Sequence, residues 1–359
     1  MTIKLPISKS IAQRLLMLAH LKDVTLPKLG NSEELPQDVL TLRQMLQDFE
    51  KGKKAFDACD NGTAARFMLA RLAATKGKQS RLTGSQQLCR RPMAQLINAL
   101  REAGAEIKCT KKEGFLPVRI VGHDLTGTVK LNDVISSQFV SAMRLIELLP
   151  NVSIDLHTNC HSPYLKMTEQ IIEDSQTSNI EEIEKDWSAA AFWYEYLALQ
   201  PDRHPNQYTD GLLLEGLTIK SMQGDKVVKD IFKPLGIKTR QTKDGVLIKT
   251  DKNIDKPKEL YINFKRCPDL YPAVFITCRK LGIHLYTMGT ASLYHKESNR
   301  LFAMAQVLKA NTGDTLMSFG DHRIAMAMLC ADYEVDDTEC IRKSYPQFLE
   351  ELKKVKNNC

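Results

Sequence analysis

The sequence predicts an α/β protein of two domains, with apolar helices inside and short strands around them. Three observations carry that reading. One helix-start pattern recurs six times, each apolar helix so begun is followed by a more polar, amphipathic one, and two long connections hold matching sets of short strands. Two helices per unit and six units is the simplest description.

The first start lies at Leu5-Pro6-Ile7-Ser8-Lys9-Ser10-Ile11-Ala12-Gln13-Arg14 and runs into the apolar stretch Leu15 to Leu21. Ser8 or Ser10 can cap the free amides, and Ile11, Leu15, Leu18 and Ala19 fall on one face. Lys9 and Arg14 bring two cations to two hydroxyls and a helix N-terminus, a combination that suits a phosphate. Taken alone, the same stretch also reads as a capped helix with solvated basic residues.

The pattern returns at Asn61-Gly62-Thr63, Ser136-Ser137-Gln138-Phe139, Asp186-Trp187-Ser188, Pro268-Asp269-Leu270 and Gly320-Asp321-His322-Arg323, each followed by about three apolar turns. Amphipathic partners are expected over 35–46, 92–103, 163–174, 225–235, 297–310 and 345–355. Between units, 104–134 carries strand-like runs at 105–109, 118–121 and 128–131, and 236–264 carries a matching set at 237–240, 245–250 and 260–264. The connections 48–59, 175–185 and 311–319 are clipped, with room for one strand each.

Composition agrees with an ordinary globular protein: 359 residues, 43% hydrophobic and 26% charged, with a net charge of +7 that favours anionic ligands. The lysines are scattered, with no basic run interleaved with aromatics, so nucleic acid is not expected. Nine cysteines without a C-x-x-C pair read as reduced thiols, neither a disulfide framework nor a zinc site. With no leader-like start and no bilayer-length apolar run, a cytoplasmic location without membrane association is expected.

Nine stretches, in order along nearly the whole chain, resemble the EPSP synthase (3-phosphoshikimate 1-carboxyvinyltransferase) family. They are Ser8-Lys9-Ser10 with Arg14, Gly62-Thr63-Ala64-x-Arg66, Leu82-Thr83-Gly84 with Arg91-Pro92, Ser136-Ser137-Gln138-Phe139, Pro163-Tyr164, Pro268-Asp269, Lys296-Glu297-Ser298-Asn299-Arg300-Leu301, Gly320-Asp321-His322-Arg323-x-Ala325-Met326 and Lys343-Ser344-Tyr345-Pro346. The resemblance implies the two-domain enolpyruvyl transferase fold, an inside-out α/β barrel of six repeated α/β units, here with several units trimmed of strands. It implies a first domain over 8–184, a second over 1–7 and 185–359, a substrate cleft between them, and closure about the two crossings on ligand binding.

The reaction so implied moves the enolpyruvyl group of phosphoenolpyruvate to the 5-hydroxyl of shikimate 3-phosphate, without metal or cofactor, in a monomer that glyphosate inhibits. By similarity, Lys9, Ser10, Arg14, Ser136, Ser137, Gln138, Tyr164, Asp269 and Lys296 hold shikimate 3-phosphate. Lys9, Gly62, Arg91, Gln138, Arg300, Arg323 and Lys343 hold phosphoenolpyruvate. Glu297 resembles the residue that protonates the methylene carbon and Asp269 the one that deprotonates the 5-hydroxyl, while Lys9, His322 and Lys343 stabilise developing charge.

The chain departs from the family pattern at four places. Asp60 and Asn61 stand where an asparagine and an alanine usually precede the glycine, His161 stands for a serine with Ser162 one place late, and Ser292 stands for an asparagine. The larger Asn61 implies weaker glyphosate inhibition. Two other readings stay open: the related enolpyruvyl transferase acting on a UDP-sugar, which carries Lys-Asn where this chain has Lys9-Ser10, and a trimmed relative that binds anions without turnover.

Overall fold

The computed structural model describes residues 1–22, 25, 27–177, 182–200, 211–311 and 313–357. The chain divides into two compact units. The N-terminal unit comprises Lys9–Leu29 and Asp38–Ile183, and the C-terminal unit Met1–Ser8, Gly30–Gln37 and Glu184–Cys359. Where the chain leaves the C-terminal unit and returns to it, the two passes pair: Ser8 N donates to Glu184 O at 2.7 Å and Asp186 N to Pro6 O at 3.0 Å.

Each unit is built on three apolar helices packed on one another: Lys9–Lys22, Gly62–Ala73 and Ser137–Ile146 in the N-terminal unit, and Trp187–Leu199, Tyr271–Lys280 and His322–Cys330 in the C-terminal unit. All thirteen residues of Trp187–Leu199 are buried, as are ten of the twelve in Gly62–Ala73. Helices that are apolar nearly all round have no face to give to water, so they form the centre. Trp187, Trp193, Phe192, Phe232 and Phe264 are fully buried in the C-terminal unit, each stabilising it by roughly 2–3 kcal/mol through apolar burial.

The strands explain how these helices are held. Gly62–Ala73 runs between Ala55–Asp57 and Gln79–Thr83, Ser137–Ile146 between Leu125–Lys130 and Val152–His157, Tyr271–Lys280 between Glu259–Asn263 and His284–Met288, and His322–Cys330 between Thr315–Leu316 and Glu334–Val335. In every case the flanking strands pair in parallel. Parallel neighbours need a crossover, and the apolar helix is that crossover. The sequence reading missed the strand that stands between the two helices in five of the six helix pairs. At 2–6 residues these strands lie in what reads as a turn.

The long connections complete two four-stranded sheets. One has the order Ala55–Asp57, Gln79–Thr83, Val118–Val121, Glu106–Cys109, and the other Thr2–Lys4, Leu212–Glu215, Gly245–Thr250, Ile237–Gln241. In both, the first pair is parallel and the next two are antiparallel. The same sheet therefore occurs once in each unit, and the other sheets among the described residues have two strands each. Of the clipped connections, 48–59 holds Ala55–Asp57 and 311–319 holds Thr315–Leu316, while 175–185 lies partly outside the described residues.

Two amphipathic helices are shorter than expected. The 225–235 stretch opens as a 3-10 turn, Gly224–Val227, and only Val228–Phe232 is α-helical. The 297–310 stretch begins its helix at Arg300, because Asn299 takes the cap position and accepts from Phe302 N. That delay leaves Lys296, Glu297 and Ser298 in a loop. Among the described residues no helix is long and apolar enough to cross a membrane.

Candidate active site

In the C-terminal unit the sequence-predicted residues converge on two carboxylates. Asp269, in the 3-10 turn Pro268–Leu270 that leads into Tyr271–Lys280, is approached by three cations. Arg300 Nη1 lies at 2.8 Å and Lys296 Nζ at 3.2 Å from its Oδ1, and Arg323 Nη2 at 3.1 Å from its Oδ2. Burial pushes the Asp269 carboxyl up, but Arg323, Lys296 and Arg300 together hold it well below the usual carboxylate range. Burial lowers the Lys296 ammonium, with Asp269 opposing.

Glu297, one residue beyond Lys296, points the other way. Its Oε2 lies 2.7 Å from His322 Nδ1 and its Oε1 3.2 Å from Lys343 Nζ. His322 and Arg323 open the buried helix His322–Cys330, and Lys343 ends the 3-10 segment Glu339–Lys343. Loop, helix start and 3-10 end thus bring Asp269, Lys296, Glu297, Arg300, His322, Arg323 and Lys343 into one constellation.

Two further buried carboxylates, one that holds the constellation and one that lies near it, have no assigned role in the sequence reading. Asp321 grips Arg300 with both oxygens, Nε to Oδ2 at 2.8 Å and Nη2 to Oδ1 at 3.2 Å, while also capping its helix through Arg323 N at 3.0 Å. Its place just before an apolar helix was the signal available. Asp225 accepts from Ser188 Oγ in the first turn of Trp187–Leu199. Burial and the nearby Asp269 push its carboxyl up to about 6, against Arg323, and nothing in the sequence separated it from an ordinary helix start. Glu297, Asp321 and His322 bring ligand atoms within 4.8 Å of one another. Arg300 and Lys343 already engage those two carboxylates, so the donor set is balanced by the protein's own cations.

The N-terminal unit gathers the remaining residues. Lys9 Nζ sits 2.9 Å from Asp38 Oδ2. Arg14 is buried, with Nε donating to Thr168 Oγ1 at 2.7 Å, Nη1 to Ser10 O at 2.7 Å and Nη2 to Tyr164 O at 3.1 Å. It therefore ties together the first helix and Pro163–Thr177, and burial pushes it down to about 10. Ser136 caps the helix that Ser137 opens, accepting from Gln138 N. The Gln138 side chain donates to Thr63 Oγ1 at 2.9 Å and accepts from Arg66 Nη1 at 2.8 Å.

Gly62 stands where two guanidinium groups meet. A Cβ there would lie 2.5 Å from both Arg66 Nη1 and Arg91 Nη1, so only glycine lets them come this close to the backbone. Arg66 carries no role in the sequence reading, and its place one turn after Gly62 is the signal for one. Its hydrogen bonds go to Gly62 O and Gln138 Oε1, neither of which is charged. Burial, with Arg91 adding to it, pushes its guanidinium well down. Two guanidinium groups brought this close to a backbone amide form an arrangement that can accept an anion.

The four departures have local explanations in part. Asp60 is exposed and accepts from Ser85 Oγ. Ser162, one place late, accepts from Tyr164 N at 3.2 Å and so starts its helix, while His161 is exposed. Nothing in the structure explains Ser292.

The family model described as EPSP synthase (3-phosphoshikimate 1-carboxyvinyltransferase) matches residues 23–352. The chain is 31% identical, over an alignment 405 positions long, to the 3-phosphoshikimate 1-carboxyvinyltransferase of Bacteroides fragilis, covering 98% of this chain and 94% of that protein. It is 26% identical over 349 residues to the protein of that name from Methanospirillum hungatei, covering 83% and 78%. Among solved structures, an EPSP synthase from Acinetobacter baumannii superposes with a TM-score of 0.67 at 21% identity, covering 99% of this chain and 95% of that one.

Proposed function

The chain belongs to the EPSP synthase (3-phosphoshikimate 1-carboxyvinyltransferase) family, and on that premise we propose that it transfers the enolpyruvyl group of phosphoenolpyruvate to the 5-hydroxyl of shikimate 3-phosphate, releasing phosphate. The observation that carries the reading is the division of labour around Asp269 and Glu297, one carboxylate ringed by Lys296, Arg300 and Arg323 and the other by His322 and Lys343. Two substrates that each carry a phosphate and a carboxylate call for such a density of cations.

Asp269 is the group that orients and deprotonates the 5-hydroxyl. Ringed by three cations it is a weak base, and an anionic substrate that draws Lys296, Arg300 and Arg323 to itself restores its basicity. Glu297 places its proton on C3 of phosphoenolpyruvate as the oxygen attacks C2. Loss of phosphate from C2 of the tetrahedral intermediate, with the Glu297 carboxylate taking a proton back from the C3 methyl group, then leaves the enolpyruvyl ether. Lys343 and His322 stabilise the charge that develops on the departing phosphate and on Glu297. In the N-terminal unit Lys9, Gly62, Arg91 and Gln138 bind phosphoenolpyruvate, and Ser10, Arg14, Ser136, Ser137 and Tyr164 bind shikimate 3-phosphate.

The test is phosphate release by the purified protein with both substrates, with the product identified by mass. Release that requires both, and no turnover with UDP-N-acetylglucosamine in place of shikimate 3-phosphate, supports the proposal. Binding of both substrates without release would leave an anion-binding relative, and turnover of the UDP-sugar would reassign the reaction.

A further inference from the structure

Asn61 is 1% exposed and its side chain makes three hydrogen bonds, each to a different part of the N-terminal unit. Its Oδ1 accepts from Ala64 N at 2.9 Å, capping the helix that carries Gly62 and Arg66. Its Nδ2 donates to Gln13 Oε1 at 2.8 Å, one turn beyond Lys9 in the first helix. The same nitrogen donates to the main-chain oxygen of Asp38 at 2.6 Å, and it is the Asp38 carboxylate that holds Lys9 Nζ. The amide has one accepting and one donating end, and this orientation satisfies both. Alanine could make none of these bonds, and a capping serine only the first.

The network matters because of what adjoins it. Gly62 follows directly, with Arg66 and Arg91 converging on it. Arg66 is 2% exposed and its Nε has no hydrogen-bond partner among the described residues. Lys9, the helix start that carries Gly62 and Arg66, and Arg91 lie on three separate pieces of chain, and an anion bound by all of them is sensitive to shifts of about 1 Å in their spacing.

We propose that Asn61 is a positioning residue for phosphoenolpyruvate: by bonding at once to its own helix, to Gln13 and to the Asp38 main chain, it fixes the Lys9 ammonium and the Gly62 amide as one rigid pair. This rests on the reaction proposed above and assigns to a departure from the family pattern a role in that same site. Asn61 is buried, with its side chain bonded to protein groups, and is not among the residues assigned to either substrate, so its effect falls on affinity and leaves the chemistry intact.

The experiment measures equilibrium binding of phosphoenolpyruvate and of shikimate 3-phosphate, steady-state kinetics and thermal melting for the full chain and for Asn61→Ser, Asn61→Ala and Gln13→Met. If the unaltered protein neither binds phosphoenolpyruvate nor turns over, the proposed reaction fails and the inference with it. With the unaltered protein competent, Asn61→Ser keeps the cap and should melt near it, yet bind phosphoenolpyruvate about tenfold more weakly, with shikimate 3-phosphate affinity and kcat within about threefold. Asn61→Ala should add a lowered melting temperature to the same loss. Gln13→Met removes one acceptor while leaving Asn61 in place and should weaken phosphoenolpyruvate by about threefold, which decides the matter if the Asn61 variants do not fold. Unchanged phosphoenolpyruvate affinity in Asn61→Ser or Gln13→Met, or equal losses for both substrates, would reduce Asn61 to a helix cap and overturn the inference.

Discussion

Glu297 Oε2 lies 2.7 Å from His322 Nδ1, a contact between a loop residue and the first residue of a buried helix, 25 positions apart in the chain. It places the carboxyl against a ring that can give or take a proton, with Lys343 at its other oxygen. Asp269 meets three cations instead, two of them guanidinium groups that do not release protons. Two carboxylates in such unlike surroundings are suited to opposite proton-transfer tasks.

The first prediction follows for Glu297. Replacement by Gln preserves shape and leaves both substrates bound, but removes the proton delivered to carbon. Calorimetric affinities should stay within about threefold, while the single-turnover rate falls by on the order of a hundredfold or more. Normal turnover in Glu297→Gln would remove Glu297 as the acid.

Asp269→Asn should behave differently. It abolishes turnover and leaves Lys296, Arg300 and Arg323 facing one another, which destabilises the ligand-free protein by roughly 3–5 kcal/mol, as expected for breaking a buried ion pair. Because the Asp269 carboxyl is held well below its ordinary value, its contribution is present above an unfolded pKa of about 4 and disappears only as pH falls through the depressed folded value. The melting deficit of the variant should therefore persist from pH 7 down to about 4 and shrink only in stronger acid. Inorganic phosphate should raise the melting temperature of the variant more than that of the unaltered protein; an equal rise would mean that the three cations are not released.

Asp225 gives a prediction of opposite sign. Its carboxyl is pushed up to about 6 by burial and by Asp269, with Asp186 adding to this and Arg323 and Ser188 opposing. A group whose folded pKa lies above its unfolded value destabilises the protein once pH exceeds the unfolded value, fully so above the folded one. Asp225→Asn keeps an acceptor for Ser188 and should stabilise the protein by about 3 kcal/mol above pH 6, from roughly 1.4 kcal/mol per pKa unit. The gain should fade between about pH 6 and 4. Melting curves across that range check it, and a gain independent of pH would exclude titration of Asp225 as its source.

Gly62→Ala should separate binding from folding. The new methyl group meets Arg66 Nη1 and Arg91 Nη1, the far ends of long side chains, so the guanidinium groups move while the backbone stays. Alanine is also the better helix former, so stability should change by less than about 1 kcal/mol. Phosphoenolpyruvate affinity should fall by on the order of tenfold or more, because the displaced arginines no longer flank the amide. Unaltered affinity by calorimetry would mean that the anion does not approach Gly62.

What the sequence by itself determined is whatever depends on local spacing. Six helix starts before apolar runs place Lys9, Gly62, Ser136, Asp269 and His322 at or beside helix N-termini, because helix-start residues and apolar periodicity are read within a few residues. The runs at 118–121 and 245–250 were legible for the same reason, as alternating or β-branched segments bounded by turns. The strands between paired helices were not. Glu334–Val335 and Leu212–Glu215 are strands because distant partners bond to them, and two to four residues carry too little pattern to show it.

Tertiary structure alone decided which charges meet. Asp321 grips Arg300 across 21 positions and Asp225 meets Ser188 across 37. Arg14, a cation one turn from Ser10 in the sequence, is also tied by the fold to Thr168, 154 positions away. Asn61 was legible as a departure from the family pattern, but its bonds to Gln13 and Asp38 exist only because three helices pack together. Pair energies fall off within a few ångströms, and which residues come that close is a property of the fold, absent from any window of the chain.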